Sequence, residues 1–170
     1  MKIARQSRKQ VSRHGEAVIL FAVGGHTFAA PATEVDEIRD LHGLESMAEA
    51  TLRTSVAKVV ATLDRSGKTY FVVDAAQHFR QARSNAERLM VLRGQRTAVL
   101  VDSIDRMAEV GHTLPLPKAF RGDERRWYRG LVLVGELVVP VVQMASFLTP
   151  AEQVIAKATV ARFAGKGVPA

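Results

Sequence analysis

The chain lacks several features that mark particular protein classes. It has 170 residues and no cysteine, which excludes disulfide frameworks, thiolate metal sites and cysteine nucleophiles. No apolar run approaches the roughly 20 residues that span a bilayer, and the longest, within residues 131–142, is interrupted by Gly135 and Glu136. The N-terminus is basic and polar with no apolar stretch after it, which is not the pattern of a secretory signal. We therefore expect a cytoplasmic protein without direct membrane insertion.

Motifs for the common kinds of catalysis are also missing. There is no G-x-S-x-G, no P-loop, no H-E-x-x-H and no strand-linked G-x-G-x-x-G. The five histidines lie far apart, without the spacing of metal ligands, so we expect no metal and no cofactor. They are His14, His26, His42, His78 and His112. An enzyme could use Asp74 and His78 as a base and the group that orients it, but no nucleophile is nearby. An acid that ends a strand is more simply a cap, so we expect no catalytic residues and no small-molecule substrate.

The net charge of +7 lies in the two tails. Met1–Gly15 carries +5 and Pro150–Ala170 carries +2, so the residues between them are neutral. Nucleic-acid-binding folds usually carry their excess charge on the folded surface, which argues against nucleic acid as a partner. The alternative is a small β-barrel nucleic-acid module that uses these tails and the loop Arg121–Arg129. We expect residues 1–15 to form a flexible arm and residues 166–170 a tail.

Short β-rich runs punctuated by glycine fill most of the chain. Ala17–Val23 and His26–Ala30 flank Gly24-Gly25, which predicts a tight hairpin because glycine adopts positive φ at little cost. The same pattern predicts three more hairpins. They are Val59–Leu63 with Thr69–Val73 across a longer turn, Arg88–Leu92 with Arg96–Val101, and Leu131–Val134 with Leu137–Val142. Many short strands joined by turns favour a mainly β protein built of barrels.

The hairpins recur at a constant spacing along the chain, which we call the repeat offset. When the sequence is aligned with itself at this offset, Phe21 matches Met90, Val35 matches Ile104 and Ile38 matches Met107. It predicts two related β units, in lobes of about residues 17–80 and 88–148, that exchange strands across one core. After residue 148, Thr149-Pro150-Ala151-Glu152 forms a capping box with proline at the first helical position, which predicts a C-terminal helix over residues 149–165.

Two stretches have the composition of a partner surface. Val35–Arg39 mixes β-branched and charged residues, and by pattern alone it is an ordinary edge strand with Ile38 inside. Arg121–Arg129 combines arginine with aromatic residues, as binding hot spots do. Its candidate contact residues are Arg121, Arg125, Arg126 and Trp127. A solvated loop with Trp127 as a lid on the core explains that stretch equally well, so both interpretations stay open.

Four motifs, in order, resemble those of CheW-like domains, the coupling proteins of bacterial chemotaxis. The first reads I-L-F-A-V-G-G-H-T-F-A-A-P-A-T-E-V-D-E-I-R and ends in a V-x-E-I-R segment. The others are F-V-V-D-A-A-Q-H-F from Phe71, R-T-A-V-L-V-D-S-I from Arg96, and W-Y-R-G-L from Trp127 with V-P-V-V from Val139. The resemblance covers about residues 17–148.

This resemblance implies two intertwined five-stranded SH3-like barrels with short helices and no catalysis. It also implies an adaptor that couples the cytoplasmic tip of methyl-accepting chemoreceptors to the regulatory domain of a CheA-like histidine kinase, in arrays at the inner face of the membrane. The family's V-x-E-I-R segment contacts partners, which carries over to Val35, Glu37, Ile38 and Arg39. Val35 takes the partner-facing position, so we expect it to be partly exposed.

One departure concerns the family's N-L-R-G turn, whose arginine is tied to signalling. Here the turn is Asp64-Arg65-Ser66-Gly67, so Ser66 stands in place of that arginine. Arg65 is the candidate replacement and completes the predicted partner-binding set, although its side chain would leave the opposite face of the strand.

Overall fold

The computed structural model describes residues 15–41, 56–82 and 85–164. Within them the chain forms ten β-strands and three α-helices. The strands are β1 (Glu16–Val23), β2 (His26–Pro31), β3 (Val35–Asp40), β4 (Val59–Arg65), β5 (Lys68–Asp74), β6 (Arg88–Leu92), β7 (Thr97–Val101), β8 (Ser103–Val110), β9 (Tyr128–Val134) and β10 (Leu137–Val142). The helices are α1 (Ala75–His78), α2 (Glu124–Trp127) and α3 (Pro150–Ala164). Residues 1–14 of the predicted arm and the tail at 166–170 lie outside the described residues.

The four predicted hairpins form, with one difference in turn length. β1 and β2 are joined by Gly24-Gly25, whose φ angles of +59° and +80° are inexpensive only for glycine. β4 and β5 pair as far as Arg65 and Lys68, so their turn is the two residues Ser66-Gly67 and not the longer turn predicted. Ser66 also has a positive φ, of +52°. This tight turn fixes where Arg65 leaves the sheet.

The strands form two five-stranded sheets, and each sheet takes strands from both halves of the chain. The order in sheet 1 is β8-β1-β2-β10-β9, and in sheet 2 it is β3-β6-β7-β5-β4. When β1 to β5 are matched one by one with β6 to β10, the strand order of sheet 1 becomes the strand order of sheet 2. Neighbouring strands are antiparallel, except that β10 runs parallel to β2 and β5 runs parallel to β7. The predicted exchange of strands is therefore confirmed.

Irregularities in the strand pairing repeat as well. β3 carries an unpaired residue, Asp36, against β6, and β8 carries Asp105 against β1. β4 bulges at Val60 and β9 bulges at Arg129. The members of each pair are separated by the repeat offset. Because a bulge is a specific local feature of a strand pair, its repetition supports the duplication independently of apolar pattern.

β1 departs from the repeat offset. Phe21 lies opposite Ile104, and Leu92 lies opposite Val35. The counterpart of Phe21 is therefore Leu92, and the predicted match with Met90 is wrong. The cause is that the β6–β7 hairpin has two residues fewer between equivalent positions than the β1–β2 hairpin. A shift of two residues keeps a side chain on the same face of the strand. Phe21, Leu92 and Met90 are therefore all buried.

Both faces of β1 are buried. Val18 and Leu20 pack in a cluster within sheet 1, whereas Ile19 and Phe21 pack in a central cluster between the two sheets. Sheet 2 has a matching cluster of its own. Each such side chain stabilises the fold by about 1.5–3 kcal/mol. Burial on two sides explains why the β1 sequence is almost continuously apolar.

α3 begins at the predicted capping box. Thr149 Oγ1 accepts a hydrogen bond from the Glu152 backbone N–H at 3.3 Å, and Glu152 Oε2 accepts one from the Thr149 backbone N–H at 2.8 Å. The helix then docks through buried Ala156 and partly buried Val160, which pack against the central cluster. This docking brings the start of α3 over the junction between the two sheets.

Candidate functional site

Charged side chains cluster around β3, one of the two outer strands of sheet 2. We call Asp36, Glu37, Arg39, Arg65 and Arg93 the β3 edge cluster. Arg65 Nη1 lies 2.7 Å from Asp36 Oδ2, and Arg65 Nε lies 3.2 Å from Glu37 Oε2. Arg39 Nε lies 3.3 Å from Glu37 Oε1, and Arg93 Nε lies 3.6 Å from Asp36 Oδ1. Since β3 and β4 are the two outer strands of sheet 2, the Arg65 pairs join its opposite edges.

Arg65 is held from several sides. Its guanidinium lies 5.9 Å from the ring centre of Tyr70, and its backbone is fixed by the tight turn that follows. The hydrogen bond from Arg65 lowers the pKa of Asp36, while Asp36 and then Tyr70 raise the pKa of Arg65. Both groups therefore stay charged at neutral pH, and they form a preorganised surface of opposite charges. The candidate replacement for the missing turn arginine thus lies beside Glu37, a member of the predicted partner-binding set.

Val35 and Ile38 have the reverse of the exposures expected. Val35 is 7% exposed and belongs to the central cluster, whereas Ile38 is 41% exposed. Val35 lies opposite Leu92, whose side chain is in the core, which explains its burial. The bulge at Asp36 then puts Ile38 on the same face, but on an edge strand this position is only partly covered. Met107, the counterpart of Ile38, is also exposed, at 64%. The expectation of a core Ile38 and an exposed Val35 is wrong.

The arginine-rich loop packs onto the protein. Trp127 is partly buried against the central cluster, with its ring centre 5.4 Å from that of His78. Arg125 Nη1 donates to the backbone carbonyls of Phe120 and Pro117, just before the loop, at 3.1 and 3.2 Å. Arg121 and Arg126 remain exposed. Trp127 thus serves as the lid that one interpretation expected. Bases stack on exposed aromatic rings, and Trp127 is partly buried, so the loop gives the nucleic-acid alternative no support.

Asp74 and His78 do not form a catalytic pair. Asp74 Oδ1 accepts a hydrogen bond from the Ala76 backbone N–H at 3.0 Å, so it caps α1 as expected. His78 is buried, with Nδ1 3.2 Å from Lys58 Nζ and Nε2 3.4 Å from Ser146 Oγ. Burial and the positive charge of Lys58 lower the pKa of His78 to about 3. An imidazole in this state cannot take a proton from a hydroxyl nucleophile at neutral pH.

Two further kinds of site can be checked in the part of the chain that the structure describes. Within residues 15–41, 56–82 and 85–164, no group of three or more His, Asp or Glu side chains could hold a metal ion. In the same ranges no helix combines the length and apolar character needed to cross a membrane. The β3 edge cluster is therefore the main candidate for function.

Comparison with known proteins identifies the family. The CheW-like domain matches residues 17–152. Among solved structures, the fold is similar to the scaffolding protein TtCheW from Thermoanaerobacter tengcongensis, with 12% sequence identity, a TM-score of 0.69, and coverage of 81% of this chain and 95% of that chain. No curated protein sequence matches significantly. Because the family match spans most of its length, the chain belongs to the CheW-like family, the non-catalytic scaffold and adaptor proteins of chemotaxis signal transduction.

Proposed function

We propose that this chain couples the cytoplasmic tip of methyl-accepting chemoreceptors to the regulatory domain of a CheA-like histidine kinase. Such an adaptor works by binding both partners, here in receptor arrays at the inner face of the membrane. The observation that carries the proposal is the β3 edge cluster, whose charged side chains flank the half-exposed Ile38 on an edge strand. We assign one partner contact to this edge.

The proposed contact combines an apolar centre with a charged rim. A partner that covers Ile38 removes apolar surface from water, which favours association. The charged groups around it steer the approach and select the partner by charge complementarity. Glu37 and Arg39 belong to this rim, whereas Val35 supports the strand from inside the core. The predicted partner-binding set is thus divided into contact residues and one structural residue.

In this proposal Arg65 replaces the arginine of the family's N-L-R-G turn. It leaves the chain one residue before Ser66, yet its guanidinium crosses from β4 to the carboxylates of Asp36 and Glu37 on β3. A basic group therefore stands at the sheet edge even though the turn itself carries serine. Arg65 both neutralises part of the acidic strand and holds its side chains in place for a partner.

The proposal is tested by replacing Ile38 with glutamate. Because a charge would then be desolvated in an apolar contact, Ile38→Glu should weaken binding to the kinase regulatory domain or to the receptor tip by about tenfold or more. Its melting temperature should stay close to that of the wild type, since the side chain is exposed. Binding is measured by titration calorimetry with purified partner fragments from the same organism.

Met107→Glu is the matched control, because Met107 is the counterpart of Ile38 on sheet 1 and is even more exposed, at 64%. It should retain affinity for the partner that Ile38→Glu loses. Wild-type affinity of Ile38→Glu for both partners would show that the β3 edge is not the contact. If the wild-type chain binds neither partner, the coupling function itself is wrong.

A further inference from the structure

A cavity of about 610 Å³ lies where the two halves of the chain meet. Four pairs of its lining residues are related by the repeat offset. These pairs are Ala57 with Arg126, Lys58 with Trp127, Gln77 with Ser146, and Arg80 with Thr149. Equivalent segments of the two halves therefore face each other across the cavity. Glu152 and Ile155 of α3 close another side. Its volume is in the range of small-ligand sites.

A chain of hydrogen bonds fixes the polar wall of this cavity. Ser146 Oγ donates to the Gln143 backbone carbonyl at 2.6 Å. Its hydroxyl proton is therefore in use, and towards His78 Nε2, at 3.4 Å, Ser146 Oγ can only accept. Nε2 is therefore the protonated nitrogen, and Nδ1 accepts from Lys58 Nζ at 3.2 Å. Lys58 Nζ also lies 3.0 Å from Glu152 Oε2. The imidazole is thus neutral, and the wall is anchored to α3.

The cavity holds one more cation than its carboxylates balance. Lys58 pairs with Glu152, and Arg80 Nη2 pairs with Asp123 Oδ2 at 3.2 Å. Arg126 is the third cation of the lining, and it has no ion pair within the described residues. A guanidinium can bind a carboxylate through two parallel hydrogen bonds. Within the described residues, no carboxylate forms such a pair with Arg126.

The lining of the cavity also includes aromatic and aliphatic side chains. The Trp127 ring centre lies 5.4 Å from that of His78 and 5.6 Å from the guanidinium carbon of Arg80. Ile155 and Val56 add aliphatic surface to the lining. The cavity thus offers one guanidinium without an ion pair together with an indole ring and aliphatic side chains, and small-molecule sites use such groups for orientation and burial.

We propose that this cavity binds a small organic acid with one carboxylate and an aromatic or branched apolar body. The carboxylate pairs with Arg126, and the apolar body packs against Trp127. Because the walls come from both halves of the chain and from α3, a bound acid ties these three parts together. The cavity shares no residue with the β3 edge cluster, so this proposal and the proposed coupling function can fail independently.

The experiment uses Trp127 as its reporter, because it is the only tryptophan of the chain. Benzoate, phenylacetate and 4-methylvalerate are titrated into the full chain while its fluorescence is recorded. At least one acid should give a saturable change and should raise the melting temperature. The corresponding neutral amide, and the acid with Arg126→Gln, should bind about fivefold or more weakly.

Arg121→Gln is the matched control, since Arg121 is an exposed arginine of the same loop that does not line the cavity. It should bind the acid as the wild type does. Absence of a saturable change with all three acids would overturn the proposal. Equal affinity for acid and amide, or wild-type affinity of Arg126→Gln, would also overturn it, since each would remove the role of the guanidinium.

Discussion

Lowering the pH should destabilise this protein through His78. The side chain is buried beside Lys58, and these surroundings lower its pKa to about 3. In the unfolded chain a histidine has a pKa near 6.5. Between these two values the unfolded state binds the proton and the folded state does not, so stability rises with pH. The contribution of His78 to the free energy of unfolding is fully present above about pH 6.5, and it is lost progressively as the pH falls towards 3.

The size of the effect follows from the same two values. Each pH unit below 6.5 costs about 1.4 kcal/mol, so the loss at pH 5.0 is about 2 kcal/mol. For a chain of this length, that corresponds to a fall in melting temperature of about 4–8 °C. Lys58 and Ser146 face the imidazole, and Glu152 faces Lys58 from α3. The range above pH 5 is chosen because ordinary carboxyl groups are ionised there.

The assay compares the wild type with His78→Gln in urea unfolding at pH 7.5, 6.5, 5.5 and 5.0. Glutamine can accept from Lys58 and donate to Ser146, and the variant keeps all the other histidines. The wild type should lose about 2 kcal/mol more than the variant over this range. Parallel pH profiles would refute the reasoning. So would an NMR titration in which the folded His78 ring gains a proton above pH 5, a measurement that does not depend on the variant folding.

Three further variants test other parts of the structure. Val35→Ala should lower the free energy of unfolding by about 2 kcal/mol, because it leaves a cavity in the core, and an unchanged urea midpoint would contradict its burial. Gly130→Ala should cost about 1–3 kcal/mol, because the added Cβ would lie within 2.3 Å of a backbone carbonyl oxygen. Gly111→Ala, with nothing within 4 Å, is its control in the same melts. Arg65→Ala should weaken partner binding in calorimetry, whereas Arg106→Ala, on β8, the counterpart of β3 in sheet 1, should not. Equal effects would exclude a specific role for Arg65.

The parts of the fold that depend on local sequence could be predicted. Gly24-Gly25 between two apolar runs specifies a hairpin, and Thr149 with Glu152 specifies a helix start, because each signal is contained in a few neighbouring residues. The repeat offset also anticipated the two matching sheets and the equivalence of Ile38 with Met107. These features need no knowledge of which strands lie side by side.

The features of the site that could not be predicted depend on distant pairing. The burial of Val35 is decided by Leu92 across the β3–β6 pair, and a bulge at Asp36 cannot be seen in a pattern of alternating residues. Arg65 reaches Asp36 only because sheet 2 brings its two outer strands together at that point. Contacts of this kind depend on how the sheet brings its two outer strands near each other, which the composition of one strand does not encode.

The sharing of strands between the two sheets also determines when this protein can fold during synthesis. β1 and β2 leave the ribosome early, yet their partners in sheet 1 are β8, which begins at Ser103, and β10, which ends at Val142. During synthesis, domains generally fold as units, the N-terminal domain first. Here the first hairpin must wait, with both apolar faces of β1 uncovered, until β8, β9 and β10 have been made. Pairing between strands so distant in sequence is slow, so the nascent first half needs protection from aggregation until the second half arrives.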